Sequence, residues 1–176
     1  MEQLSVGGGV GRGRLRAVVL GIDARRPCDI VTAFAFEAAV RRGTLLHAVH
    51  AWHLPESAES SMPFAVPEED RAAWEDQEVQ MLADVLRPWH EKFPRVRVYA
   101  DVRLQPPATA LVHASGGAGA LVVGRGEMTV GPTLWEVLSR ARCPVTVVPH
   151  GPDRHGLSEQ VTDPASSGCG TRPVSG

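Results

Sequence analysis

The chain has no long hydrophobic run, only three cysteines and almost no net charge, and each shortage removes a class of protein. Its longest uncharged apolar runs, such as Ala17–Ile22, are far too short to cross a bilayer. A net charge of −2 gives no electrostatic case for nucleic acid or an anionic membrane, both of which need clustered positive charge. Cys28, Cys143 and Cys169 are odd in number and widely spaced, so neither a disulfide framework nor a zinc pattern fits them. The opening MEQLSVGGGVGRGRLR has no apolar core of the kind a secretory signal needs. A reducing cytoplasm is therefore the expected setting. Catalytic signatures are missing too. There is no Ser-His-Asp elbow, no Cys-His pair with a local signature and no Walker motif, so no enzyme is expected.

What is present suits one soluble domain. The 176 residues are 43% apolar and 22% charged, enough for a sizeable core but not comfortably for two. Residues 1–13 are glycine-rich and read as a flexible arm; residues 151–176, rich in Gly, Pro and Ser, read as a disordered tail. Between them, residues 14–150 alternate strand and helix patterns. Arg16–Asp23 reads as a strand buried on both faces. Asp29–Arg42 follows as a helix, with Ile30, Phe34 and Ala38 on one stripe and Gly43 as its stop. Thr44–Trp52 is the next strand, and the proline-rich Leu54–Pro67 is a loop. Glu68–Phe93 carries Val79, Leu82, Leu86, Trp89 and Phe93 at helical spacing, with Pro88 expected to kink or divide it. Val96–Val102 alternates as an edge strand with one wetter face. A helix from Pro107 to Ser115, a strand at Leu121–Val123, a helix at Pro132–Arg140 and a strand at Val145–Val148 complete the domain. Such alternation forces parallel pairing and predicts a three-layer α/β/α sandwich around a five-stranded sheet.

The stretch LVVGRGEMTVGPTLWEVLSRARCPVTVVP, residues 121–149, says most about function. An apolar strand runs into Gly124 and Gly126, and Gly131 opens a helix. Strand, glycine turn and helix N-terminus is how α/β proteins cradle a phosphate: backbone N–H groups and the helix dipole face the anion. The same glycines also serve as plain turns.

This stretch resembles the C-terminal third of the universal stress protein family. "LRAVVLGIDARRP … AFEAAVRRGTLLHAVHAW" is similar to that family's opening strand, Asp-ended turn, helix and second strand, and "PPATALVHASGGAGALVVG" to its approach to the glycine turn. The resemblance covers about residues 14–150. It implies a Rossmann-like sheet, akin to that of the adenine nucleotide alpha hydrolases, with strand order 3-2-1-4-5. The topological switch point then lies between strands one and four, beyond their C-termini. By the same resemblance Asp23 sits beside a ribose or adenine, although an Asp there also caps a turn. Ala48 falls where the family places an adenine-contacting Val, although a small core residue also fits. Val123, Gly124, Arg125, Gly126, Gly131 and Thr133 make the candidate phosphate turn. The family pattern is Gly, two residues, Gly, nine residues, then Gly-Ser or Gly-Thr. In this chain Gly126 comes one position early and Gly131 six positions early, and Pro132 replaces the hydroxyl residue. Proline supplies neither a hydroxyl nor a backbone N–H. Thr129 or Thr133 is left to offer a displaced hydroxyl.

The remaining polar residues form no second site. His47, His50 and His53 run along a strand into a loop, so His47 and His50 face opposite sides and no metal site is expected. Trp52, Trp74, Trp89 and Trp135 read as core or interface residues. Glu68, Glu69, Asp70, Glu75, Asp76 and Glu78 read as a solvated helix face. Cys28 precedes a helix N-terminus, a place where thiols can become reactive. The first expectation is a cytoplasmic stress protein that acts by homodimerising through Val145–Val148 and by engaging a protein partner, with no cofactor and with nucleotide binding weak or lost. The alternative is an ATP- or AMP-binding sensor that uses the crevice between Asp23 and the Gly124–Gly131 turn. An ATP-consuming enzyme fits worst, because Asp23-Ala24-Arg25 is not a pyrophosphate-gripping Ser-Gly-Gly-Asp-Ser loop.

Overall fold

A computed structural model describes residues 16–54, 67–126 and 130–151. The expected arm, almost all of the expected tail and most of the Leu54–Pro67 loop lie outside the described residues. Within them the order is β1 (Val18–Gly21), α1 (Asp29–Arg42), β2 (Leu46–Trp52), α2 (Glu68–Lys92), β3 (Val98–Leu104), α3 (Pro107–Ser115), β4 (Ala120–Arg125), α4 (Pro132–Arg140) and β5 (Val145–Pro149). The five strands pair in parallel in the order β3-β2-β1-β4-β5, as expected.

The centre of the sheet is apolar because both its faces are covered. Side chains alternate across a strand, so Val18 and Leu20 of β1 join one core cluster and Val19 joins the other. The first cluster lies under α1 and α2 and holds Phe36, Leu46, Ala48, Leu82 and Leu86. The second lies under α3 and α4 and holds Val49, Leu111, Leu121, Leu134 and Val137. Phe36 is fully buried, with its ring centroid 5.9 Å from that of Trp89 and 5.4 Å from that of Phe93.

Local chemistry sets the element ends. α1 carries Asp29 in its first turn and Arg41 and Arg42 in its last, each favourable to the helix dipole. It stops at Gly43, whose φ of 57° is left-handed backbone that only glycine adopts without strain. Four sequence expectations need correction. Ile30 is 60% exposed, and the buried stripe of α1 is Val31, Ala35, Phe36, Ala38 and Ala39. Pro88 does not divide α2, which continues to Lys92. Both Pro88 and Asp84, whose carbonyl loses its helical partner, are exposed, so the carbonyl is open to water. Val79 is 49% exposed, and Glu78 takes its expected place in the interior. β3 begins two residues late, at Val98, because its register is fixed by pairing Leu46 with Val98.

A polar cluster occupies the β2–β3 end of the sheet. His47 Nε2 lies 2.8 Å from Asp101 Oδ2, and Arg103 donates to the same oxygen at 2.9 and 2.6 Å. Burial alone would raise the Asp101 carboxyl, but the Arg103 and His47 bonds outweigh it and hold it below the usual carboxylate range. A depressed folded-state pKa stabilises the fold above the unfolded value near pH 4, and that stabilisation is lost as pH falls through the folded value. Asp101→Asn should therefore cost about 1–3 kcal/mol at neutral pH, and the gap to wild type should shrink below about pH 4. Urea denaturation at the two pH values measures it. A gap that does not change with pH would remove the ionised carboxylate from the account.

Candidate functional site

The C-terminal ends of β1, β2 and β4 open into two neighbouring cavities. The larger, about 590 Å³, lies beyond β1 and β2 and reaches the start of α3. Val49, Ala51, Leu54 and Leu111 give it an apolar wall, and Asp23, Arg25, Arg26, His50 and His53 give it a polar one. The smaller, about 200 Å³, lies towards β4 and is lined by Asp23, Cys28, Gly124 and His150 among others. Asp23 belongs to both, so the loop from β1 to α1 is the shared wall.

That loop is held by side chains from distant parts of the chain. Asp23 Oδ1 accepts the Arg25 backbone N–H at 3.0 Å, a local turn of the kind Asp favours, and Asp23 Oδ2 lies 3.6 Å from Arg26 Nε. His50 Nε2 donates to Glu78 Oε2 at 3.0 Å. With that proton spent, its Nδ1 accepts from Ala24 N–H at 3.3 Å and also lies 3.2 Å from the Ile22 carbonyl. Glu78 accepts a second bond from Arg25 Nη2. Glu78 and His50 are almost fully buried, whereas the Arg25 side chain is 58% exposed. The carboxylate thus reaches from the middle of α2 to the rim of the cavity. A buried carboxylate is costly unless paired, and both of its oxygens are paired. Trp52, 3% exposed, also lines the larger cavity, and its Nε1–H has no partner among the described residues.

The expected site residues separate into groups. Asp23 and Gly124 come together at the smaller cavity. A Cβ on Gly124 would stand about 3.0 Å from the His150 and Val31 side chains, so a larger residue there requires both to give way. Ala48 is not at either cavity: it is fully buried under α1 and α2, and Val49, one residue on and facing the other way, lines the larger cavity instead. Val123 is a core residue of the second cluster. Arg125 ends β4, and Gly126 is exposed beyond it. Gly131 is the N-cap of α4, Pro132 its first residue and Thr133 an exposed second. Thr129 lies outside the described residues. His47 and His50 do face opposite sides, and each is bound to a carboxylate. Among the described residues no group of His, Cys, Asp and Glu can hold a metal ion. Burial pushes the Cys143 thiol up, which keeps it protonated.

Sequence reading missed Glu78, His50 and Arg25 as a unit. The signal was there for Glu78: positions 78, 82 and 86 repeat every four residues, and Leu82 and Leu86 are buried. A glutamate on the apolar stripe of a helix asks for a partner.

The family model for the universal stress protein family matches residues 14–149. A universal stress protein of Mycobacterium tuberculosis is 38% identical over 136 residues, which is 74% of this chain and 44% of the relative. One from Mycolicibacterium smegmatis is 36% identical over 141 residues, 74% of this chain and 45% of the relative. The chain thus spans less than half the length of these curated relatives. Among solved structures, a universal stress protein from Archaeoglobus fulgidus superimposes with a TM-score of 0.55 at 21% identity, covering 76% of this chain and 93% of that one. Its complex with dAMP gives 0.54 at 21% identity, covering 76% and 97%. At that identity the likeness concerns the fold.

Proposed function

The chain belongs to the universal stress protein family, and from that premise we propose that it acts in the cytoplasm, without catalysing a reaction, by forming a homodimer and engaging protein partners, while holding ATP weakly. The start of α4 carries the ATP part of this reading. Gly131 is its N-cap and Pro132 its first residue, so the position that would grip a phosphate has no backbone N–H and no hydroxyl. Each lost hydrogen bond to a charged phosphate weakens binding by about 1.5–3 kcal/mol. Two such losses move a micromolar site to about millimolar. Protein denatured straight after purification should release no ATP, and calorimetry should detect no micromolar ATP binding. Stoichiometric release of ATP would reverse this reading.

Dimerisation is supported by the edge position of β5. Val145 and Val147 are half-buried there, and α4, which packs into the same cluster through Leu134 and Val137, leaves Trp135 68% and Leu138 46% exposed. Among the described residues no helix is long and apolar enough to cross a membrane.

A second reading, a sensor of adenine nucleotides, is favoured by the larger cavity. Its volume of about 590 Å³ is that of a small-molecule site. In this reading the apolar wall takes the base and Asp23 accepts from ribose hydroxyls. A dAMP complex of a fold relative supports it.

A further inference from the structure

We propose that Arg25 reads the anionic group of the ligand in the larger cavity, that buried Glu78 and His50 hold it in place, and that the ligand it suits carries a single phosphate. This rests on the nucleotide-sensor reading and says which nucleotide class the site selects.

The argument begins with the cost of Glu78. A carboxylate 3% exposed in the middle of a helix is tolerated only with both oxygens satisfied. Its partners come from two other elements, His50 on β2 and Arg25 in the β1–α1 loop. An apolar residue would fill the same place in the core at no such cost. What the carboxylate adds is a fixed guanidinium. Arginine offers five N–H donors in a rigid fork. Glu78 engages one of the two terminal nitrogens, and the remaining edge belongs to a side chain that lines the cavity and is more than half exposed.

The backbone beneath it is pinned as well. His50 Nδ1 meets Ala24 N–H, and Asp23 meets the N–H of Arg25 itself. Ordering a long side chain before the ligand arrives lowers the entropy lost on binding. Arg26 lines the same cavity, is 86% exposed and is only loosely paired with Asp23, so a second positive group stands beside the first. A triphosphate needs a run of donors across to α4, where Pro132 supplies none. One phosphate needs only a fork such as that of Arg25.

Calorimetric titration of the full chain with adenosine, AMP and ATP tests this. Wild type should bind AMP about tenfold or more tighter than adenosine, and ATP no tighter than AMP. Arg25→Met should bring AMP down to the adenosine level, and the double variant Arg25→Met with Glu78→Gln, which leaves no unpaired buried charge, should do the same. Glu78→Gln alone should weaken AMP several-fold more than adenosine. A merely structural pairing would not move the AMP-to-adenosine ratio in any of these variants. Equal binding of AMP and adenosine by wild type, or equal loss of both in Arg25→Met, would overturn the proposal and leave the sensor reading standing. Binding of neither would overturn both.

Discussion

Phe36→Ala should lower the stability of the domain by about 3–5 kcal/mol, the usual cost of emptying a fully buried aromatic site. Phe36 is on α1, and its stacking partners Trp89 and Phe93 lie at the far end of α2. Its loss therefore removes apolar area and also the stacking that ties the two helices of one layer together. Those rings are only partly buried, so they do not collapse tightly onto the void. A domain of this size is stable by about 5–15 kcal/mol in all, so the change consumes much of the margin. Urea unfolding followed by circular dichroism measures it through the midpoint. A loss below about 1 kcal/mol would mean that the neighbours refill the space.

The second large effect concerns assembly. Wild type should be a dimer by light scattering at roughly tens of micromolar, and Val147→Lys should be monomeric. β5 closes one side of the sheet, and no strand among the described residues pairs with its outer edge. An open apolar edge such as Val145-Thr146-Val147-Val148 associates unless covered. Pairing the same strand across a two-fold axis satisfies its free N–H and C=O groups. A lysine at position 147 puts like charges close together across that axis. Because Val147 also touches the second core cluster, Trp135→Glu provides an exposed-site control that spares the fold and should weaken the dimer too. A monomeric wild type, or two variants that both remain dimeric, would rule out this interface.

Periodicity was enough to place the elements, because each strand and helix carries its own apolar rhythm. It was weaker on which residues line the cavities. In a strand buried on both faces, apolar residues occupy consecutive positions, so nothing local tells Ala48 from Val49, and an error of one residue turns the side chain to the other face. In α1 a similar ambiguity put Ile30 on the buried stripe, where Val31 in fact lies. Glu78 looked solvated because its charge was read without its partners, which are 28 and 53 residues away. The spacing of 78, 82 and 86 marks Glu78 as facing inward, but nothing local names its distant partners. The glycine turn was legible in composition and in its departure from the family spacing. Residues 127–129, which connect its ends, lie outside the described residues.

The place of β1 in the sheet bears on how the chain comes to be folded during synthesis. Of the five described strands β1 is made first, yet it stands in the middle. One flank is closed by β2 about thirty residues later, and the other waits about a hundred residues for β4. A nascent chain at that stage can assemble β1, β2, β3 and the layer of α1 and α2, with the second flank of Val18-Val19-Leu20 still unpaired. Growth at about 5–20 residues per second leaves that flank open for seconds. A buried, apolar strand at the centre of the sheet thus waits for one of its two partners, and until β4 arrives that flank can pair with a neighbouring chain instead.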